Sequence, residues 1–306
     1  MRLARLGLVL TLFVTLAVSG WMSPAAAGLV NPKPVDPVIE LLPPRPAPHV
    51  PYTGTICPDG SPSCIEATIS EMQQRLNVLA PACDHDAVFS LAYLRVTENV
   101  RDAVNSGYFR DRVWLGQLDA VFAHDYFTAL DTWNNGDAAA KASIPLAWQI
   151  ALKAADDKAV SGLGNFMLAM NAHINRDFSY ALAEVGLTGA DGVSHKSDHN
   201  AYNRRLDSLY EPVFAEEAAR FDKRFDDIDV STLEETAAGV IMRGWREMVW
   251  RNAEKLALAK TPRQRSQAEH SIEAYSAAQA RTLRRMFTAG PKLRAEREAW
   301  CADHHG

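Results

Sequence analysis

Apolar residues recur at three- and four-residue spacing along most of the chain after Cys64, and no stretch alternates convincingly with period two. The pattern predicts helices. The first is headed by Ser63 with Glu66 as a capping box, carries Ile65, Ile69, Met72, Leu76 and Leu79, and ends at Pro81. A second runs from Asp86 to Ser106 and stops at Gly107. A third begins near Asp111, carries Trp114, Leu118, Val121, Phe122 and Leu130, and stops at Asn134-Asn135-Gly136. A shorter helix follows Ser143 with Pro145 in its first turn, and a central one spans Gly162 to Val185 before Gly186. After a loop over Leu187–Ser197, one helix carries Tyr202, Leu206, Leu209 and Phe214 and bends at Pro212. Ser231 with Glu234 caps a long helix through Ile241, Trp245, Val249 and Leu256. Thr261-Pro262 with Gln264 caps the next, through Ile272, Tyr275, Leu283 and Phe287, which stops at Gly290-Pro291. The expected fold is all-α, a single bundle of about eight helices.

The N-terminus has a different pattern. Arg2 and Arg5 precede an apolar run from Leu6 to Val18, and Ala25-Ala26-Ala27 offers a cleavage site before Gly28. This reads as a secretory signal peptide over residues 1–27, too short and wrongly flanked to span a membrane. Residues 28–56 hold half of the chain's 16 prolines and read as an extended, Pro-rich tether. Residues 57–306 then form one helical domain, since no repeat or linker divides them. The expected location is secreted or extracytoplasmic, with no transmembrane segment in the mature chain and loose envelope association as the alternative to free solution.

Cysteine usage agrees with export. The four cysteines allow three pairings. Turn chemistry in Pro58-Asp59-Gly60-Ser61-Pro62 makes Cys57–Cys64 a natural small loop, which leaves Cys83–Cys301 to staple an early interhelix loop to the C-terminal tail. Loss of Arg2 and Arg5 with the signal peptide takes the formal charge from -5 to about -7, so no nucleic-acid partner is expected.

The candidate chemistry lies in the central helix, where Asn171-Ala172-His173-Ile174-Asn175-Arg176-Asp177 interrupts an apolar stretch. On a projection at about 100° per residue centred on Ile174, Met167, Phe178, Ala181 and Val185 share the buried face, while Asn165, Ala172, Arg176 and Ser179 point away. His173 and Asp177 fall one turn apart on the same side. They are candidate catalytic residues, an acid/base pair, or ligands of a divalent metal such as zinc, with Asp198 and Glu98 as further candidate ligands. Asn171, Asn175, Asn203 and Asn252 are further polar-core candidates. Asp198 reads equally as a helix N-cap, and the whole group equally as a structural hydrogen-bond network. His124-Asp125 and Trp250-Arg251-Asn252-Ala253-Glu254 read by default as surface or packing chemistry, and Asp303-His304-His305 as a frayed tail.

The run Phe166-Met167-Leu168-Ala169-Met170-Asn171-Ala172-His173-Ile174-Asn175-Arg176-Asp177 resembles the hallmark of a bacterial all-helical family catalogued as a domain of unknown function. The likeness extends to Tyr93-Leu94-Arg95-Val96-Thr97-Glu98, Val121-Phe122-Ala123 with Tyr126, Asp198 with Asn203, and Trp250-Arg251-Asn252-Ala253-Glu254, from about Ala87 to Phe287. It implies fold and kinship and carries no activity. A fainter likeness, in the His-x-x-x-Asp spacing alone, is to the zinc-dependent phospholipase C and single-strand nuclease superfamily. The chain departs from that pattern because Gly28, not a ligating Trp, would head the mature protein, and no further His follows Asp177 in the helix. Two functional expectations result: a secreted metal-dependent hydrolase acting on phosphoesters or lipids, or a non-enzymatic envelope-associated protein that binds an unknown small molecule, lipid or partner over a structural polar core.

Overall fold

The computed structural model describes residues 42–206, 209–227 and 237–304. The signal peptide, the first part of the Pro-rich run and the Ser231/Glu234 cap lie outside the described residues. Eleven helices are present among the described residues, rather than eight, and there is no strand. They are α1 (Pro62–Leu79), α2 (Ala87–Asn105), α3 (Arg112–Asn135), α4 (Ala138–Ser143), α5 (Leu146–Asp156), α6 (Gly162–Ala172, a π-helical turn His173–Asp177, then Phe178–Val185), α7 (Lys196–Leu206), α8 (Tyr210–Arg220), α9 (Ala237–Ala257), α10 (Pro262–Met286) and α11 (Pro291–His304). No described helix is long and apolar enough to cross a membrane.

Several termini follow local chemistry. Asp111 accepts from the backbone N–H of Trp114 and caps α3. At α10 the Thr261 hydroxyl accepts from Gln264 N while the Gln264 side chain accepts from Lys260 N, a reciprocal cap. Gly186 ends α6 at φ 89°, in the left-handed region, and a Cβ there would lie 2.9 Å from the carbonyl oxygen of Val50.

Other boundaries depart from the expectation. The Ser63/Glu66 box is not used: α1 starts two residues earlier, with Pro62 as its first residue and Ser61 as N-cap. The helix expected to bend at Pro212 is two helices, and Pro212 sits in the first turn of the second, where proline needs no N–H partner. Two elements were not foreseen, the six-residue α4 and the C-terminal α11. The expected frayed end is helical through His304, because α11 buries Arg297 and Cys301.

Helix α6 is the axis of the bundle, packed against α2, α3, α5, α9 and α10. Glu184, near its C-terminal end, is the one residue on it that is exposed. Asn165, Ala172 and Ser179, placed outward by the projection, are buried, whereas Met167 and Ile174 are only partly so. Two causes combine: neighbours surround the helix, and the π turn widens the helix and shifts the angular phase of everything after it.

The end of the Pro-rich run is docked. Thr188 Oγ1 donates to the Ala47 carbonyl, His49 Nδ1 lies 2.9 Å from the Thr188 carbonyl, and Arg45 N donates to Glu254 Oε1 at 2.7 Å. Glu254 is fully buried, and the same oxygen also accepts from Trp250 Nε1. Residues 42–56 thus pack on the bundle as a strap.

Both expected disulfides are present, Cys57–Cys64 and Cys83–Cys301. The second spans 218 residues and joins the α1–α2 loop to α11, beside the buried Arg297, which donates to Asn165 Oδ1 and His85 Nδ1. Replacing Cys83 and Cys301 by Ser is expected to lower unfolding free energy by about 2–5 kcal/mol. Denaturant titration checks this, and an unchanged midpoint would contradict it.

Candidate functional site

The π turn puts His173 and Asp177 on one side of α6. The N–H of Phe178 reaches back to the carbonyl of His173, and within that loop His173 Nδ1 lies 3.2 Å from Asp177 Oδ2. The same carboxylate oxygen accepts from Trp148 Nε1 of α5 at 2.7 Å, and Oδ1 accepts from Arg176 at 2.8 Å. Arg176 also donates to Glu273 of α10 at 2.8 Å and lies over the Tyr180 ring. Asp177 is 0% exposed. A buried carboxylate is costly unless charge and hydrogen bonds compensate it; here α6 supplies the charge through Arg176, and α5 and α6 supply the hydrogen bonds. Neighbouring Asn171 donates to the Ser276 carbonyl of α10 and accepts from Asn175 Nδ2, which binds α6 to α10 a second time.

His173 has a second side. Its ring stacks on Phe122, with centroids 3.5 Å apart and planes 6° from parallel, and the Phe89, Tyr93, Tyr126 and Trp148 rings surround it. With Nδ1 committed to Asp177, the remaining nitrogen, Nε2, is buried and has no protein partner. The Tyr93 hydroxyl is in the same condition, with ring centroids 4.5 Å apart. Both residues line a cavity of about 90 Å³ between α2, α6, α7 and α8, to which α3 adds Phe122 and α9 adds Arg246. Its wall is almost wholly apolar: Phe89, Phe122, Phe166, Met170, Ile174 and Phe178 lie at its inner side, and half-buried Tyr202, Leu206, Leu209 and Tyr210 close the other. No Ser, Thr, Cys, Asp or Glu is among the lining residues. Asp177 is not among them either.

The other candidate ligands are elsewhere. Asp198 accepts from the backbone N–H groups of Arg110 and Asp111 at 3.0 and 2.8 Å, which anchors the start of α7 to the α2–α3 connection. Glu98 is a partly exposed partner of Arg95. Asn203 lies 3.0 Å from His199 Nε2, and Asn252 accepts from Lys255. Of these, Asn203 joins His173 at the cavity wall. Among the described residues the one group of three potential ligands within 4.8 Å is Cys57, Asp59 and Cys64, whose sulfurs are joined in a disulfide and so are not thiolates. The tetrad His173, Asp177, Asp198 and Glu98 is therefore not assembled.

Burial sets the protonation states. Desolvation lowers the His173 pKa below its usual 6.5, against the opposing pull of Asp177, and holds the ring neutral. Desolvation by the packed surroundings raises buried Asp119 of α3 to about 8. Sequence reading did not single out Asp119 or the aromatic cage, because a cage residue at helical spacing looks the same as ordinary core. The Asp119 carboxyl keeps its proton in the folded protein up to about pH 8, whereas an unfolded chain releases it near 3.8. The native state binds more protons in that window and loses stability as pH rises through it. Asp119→Asn is expected to be neutral near pH 3 and increasingly stabilising towards pH 8, by about 1.4 kcal/mol per pH unit at most. Urea titrations across pH check it, and a pH-independent difference would contradict it.

Comparison with known proteins places this geometry in a family. Neither curated proteins nor solved structures gave a match. A family model described as a family of unknown function, DUF5995, matches residues 65–286, from the first helix through the end of α10, with the whole polar turn and the cavity inside it. The chain belongs to that family.

Proposed function

We propose that this protein binds a small apolar molecule, or the apolar end of a lipid, in the cavity beside His173, and that the His173–Asp177 pair organises the wall of that site rather than holding a metal. The carrying observation is the division of labour along one turn of α6. Asp177 spends both oxygens on Trp148, His173 and Arg176 in sealed packing, while His173 alone meets the cavity. A hydrolytic metal site needs several oxygen or nitrogen donors converging on an open position. The donor geometry speaks against that reading, and the absence of Ser, Thr, Cys, Asp and Glu among the lining residues speaks against hydrolysis through a hydroxyl, thiol or carboxylate nucleophile. An apolar cavity with few polar groups is the usual form of a binding site for a small hydrophobic ligand. At about 90 Å³ the cavity is smaller than the roughly 150 Å³ apolar cavity that takes up benzene, so a single ring enters with a small outward shift of the half-buried side formed by Tyr202, Leu206, Leu209 and Tyr210. The two disulfides support an extracytoplasmic setting, secreted or loosely held at the envelope.

Toluene is expected to bind the wild-type protein saturably and to raise its melting temperature. Ala92→Leu, which fills the cavity from α2, is expected to weaken that binding at least tenfold while the protein stays folded. Failure of the wild type to take up toluene would overturn the reading. Protein purified without chelators is expected to carry less than about a tenth of an equivalent of zinc. A stoichiometric ion lost in His173→Ala would restore the hydrolase reading.

A further inference from the structure

We infer that the occupant of this cavity is an apolar molecule bearing a hydrogen-bond donor, an alcohol or phenol hydroxyl, and that His173 Nε2 accepts that hydrogen. The inference rests on the cavity reading above and specifies its chemistry. Asp177 Oδ2 already accepts from Trp148 Nε1, and the carboxylate is balanced by Arg176, so it meets His173 Nδ1 as an acceptor. The imidazole proton must then sit on Nδ1. A neutral ring with its proton there presents a bare lone pair at Nε2. That atom is buried without a partner in a residue only 2% exposed, and such an orphan costs about 1–3 kcal/mol unless something donates to it. Among the other polar lining residues (Tyr202, Asn203, Tyr210 and Arg246 besides Tyr93), the Tyr93 hydroxyl is itself buried and unpartnered, and so gives a ligand oxygen a group that donates in return. A hydrocarbon would fill the volume and leave both atoms unsatisfied. A hydroxyl satisfies the imidazole.

The fixed tautomer also gives direction. Ligands that only accept gain nothing from Nε2, so discrimination is between donor and acceptor, not between polar and apolar. A site built to meet one hydroxyl rejects the analogue lacking it, because its own buried groups are then left unpaired.

Phenol, toluene and fluorobenzene test this, since they are close in size and offer respectively a donor, no polar group and an acceptor without a donor. The wild-type protein is expected to bind phenol about tenfold or more tightly than the other two, measured by calorimetry at one pH. His173→Phe keeps a ring to stack on Phe122 and removes the lone pair. It is expected to bind the three alike, with toluene affinity retained. Equal affinities in the wild type, or fluorobenzene matching phenol, would overturn the inference while leaving the apolar site standing. A phenol preference that survives His173→Phe would also overturn it and would shift the recognition to Tyr93. No binding of any of the three would remove the cavity reading itself. The wild-type ratios decide the matter even if the variant does not fold.

Discussion

The structure depends on one buried charge. Asp177 lies at the centre of the bundle with no exposed surface, and its carboxylate is met by an indole N–H, an imidazole and a guanidinium. Two of these donors tie other parts of the fold to α6: Trp148 brings α5, and Arg176 brings α10 through Glu273. Leaving a buried carboxylate with one donor missing costs several kcal/mol, so the three helices are held in one register. The π turn belongs to the same arrangement. It widens the helix at the turn that carries His173, Arg176 and Asp177.

From that anchor the proposed binding surface follows. Holding His173 by one nitrogen fixes its ring against Phe122 and commits its proton, so its other nitrogen becomes a fixed acceptor at an apolar wall. The pair resembles the base and orienter of an acid/base dyad in its logic, yet the surrounding chemistry is aromatic and aliphatic. Strap and disulfide act farther out. Residues 42–56 satisfy Glu254 and cover Thr188, and Cys83–Cys301 fastens α11 over the buried Arg297. These devices stiffen the shell around α6 without entering the cavity.

Much of the fold was legible because apolar spacing, capping residues and punctuating glycines are local signals. Asp111, Thr261 with Gln264, Gly136 and Gly186 all end or begin helices as their chemistry requires. The pairing of cysteines was legible for the same reason, since turn residues between Cys57 and Cys64 left one partner each for the rest. The His173–Asp177 contact was legible from helical spacing alone. What lay beyond it was not. Glu98 and Asp198 are conspicuous in sequence, but their partners, Arg95 and the backbone at residues 110–111, are set by tertiary packing. The outward face assigned to α6 failed at Asn165, Ala172 and Ser179 because neighbours cover a central helix on most of its circumference and because an added π residue is invisible to a fixed angular step. The cavity was illegible for a simpler reason: Phe89, Phe166, Met170 and Phe178 look the same in sequence whether they touch each other or enclose space.

The most direct measurement is the protonation of His173 by nitrogen-15 NMR in the intact protein. The account predicts a neutral ring at pH 7, with the proton on Nδ1 and a bare Nε2, and a pKa depressed below the ordinary histidine value of 6.5. A proton on Nε2, or an imidazolium at neutral pH, would contradict it.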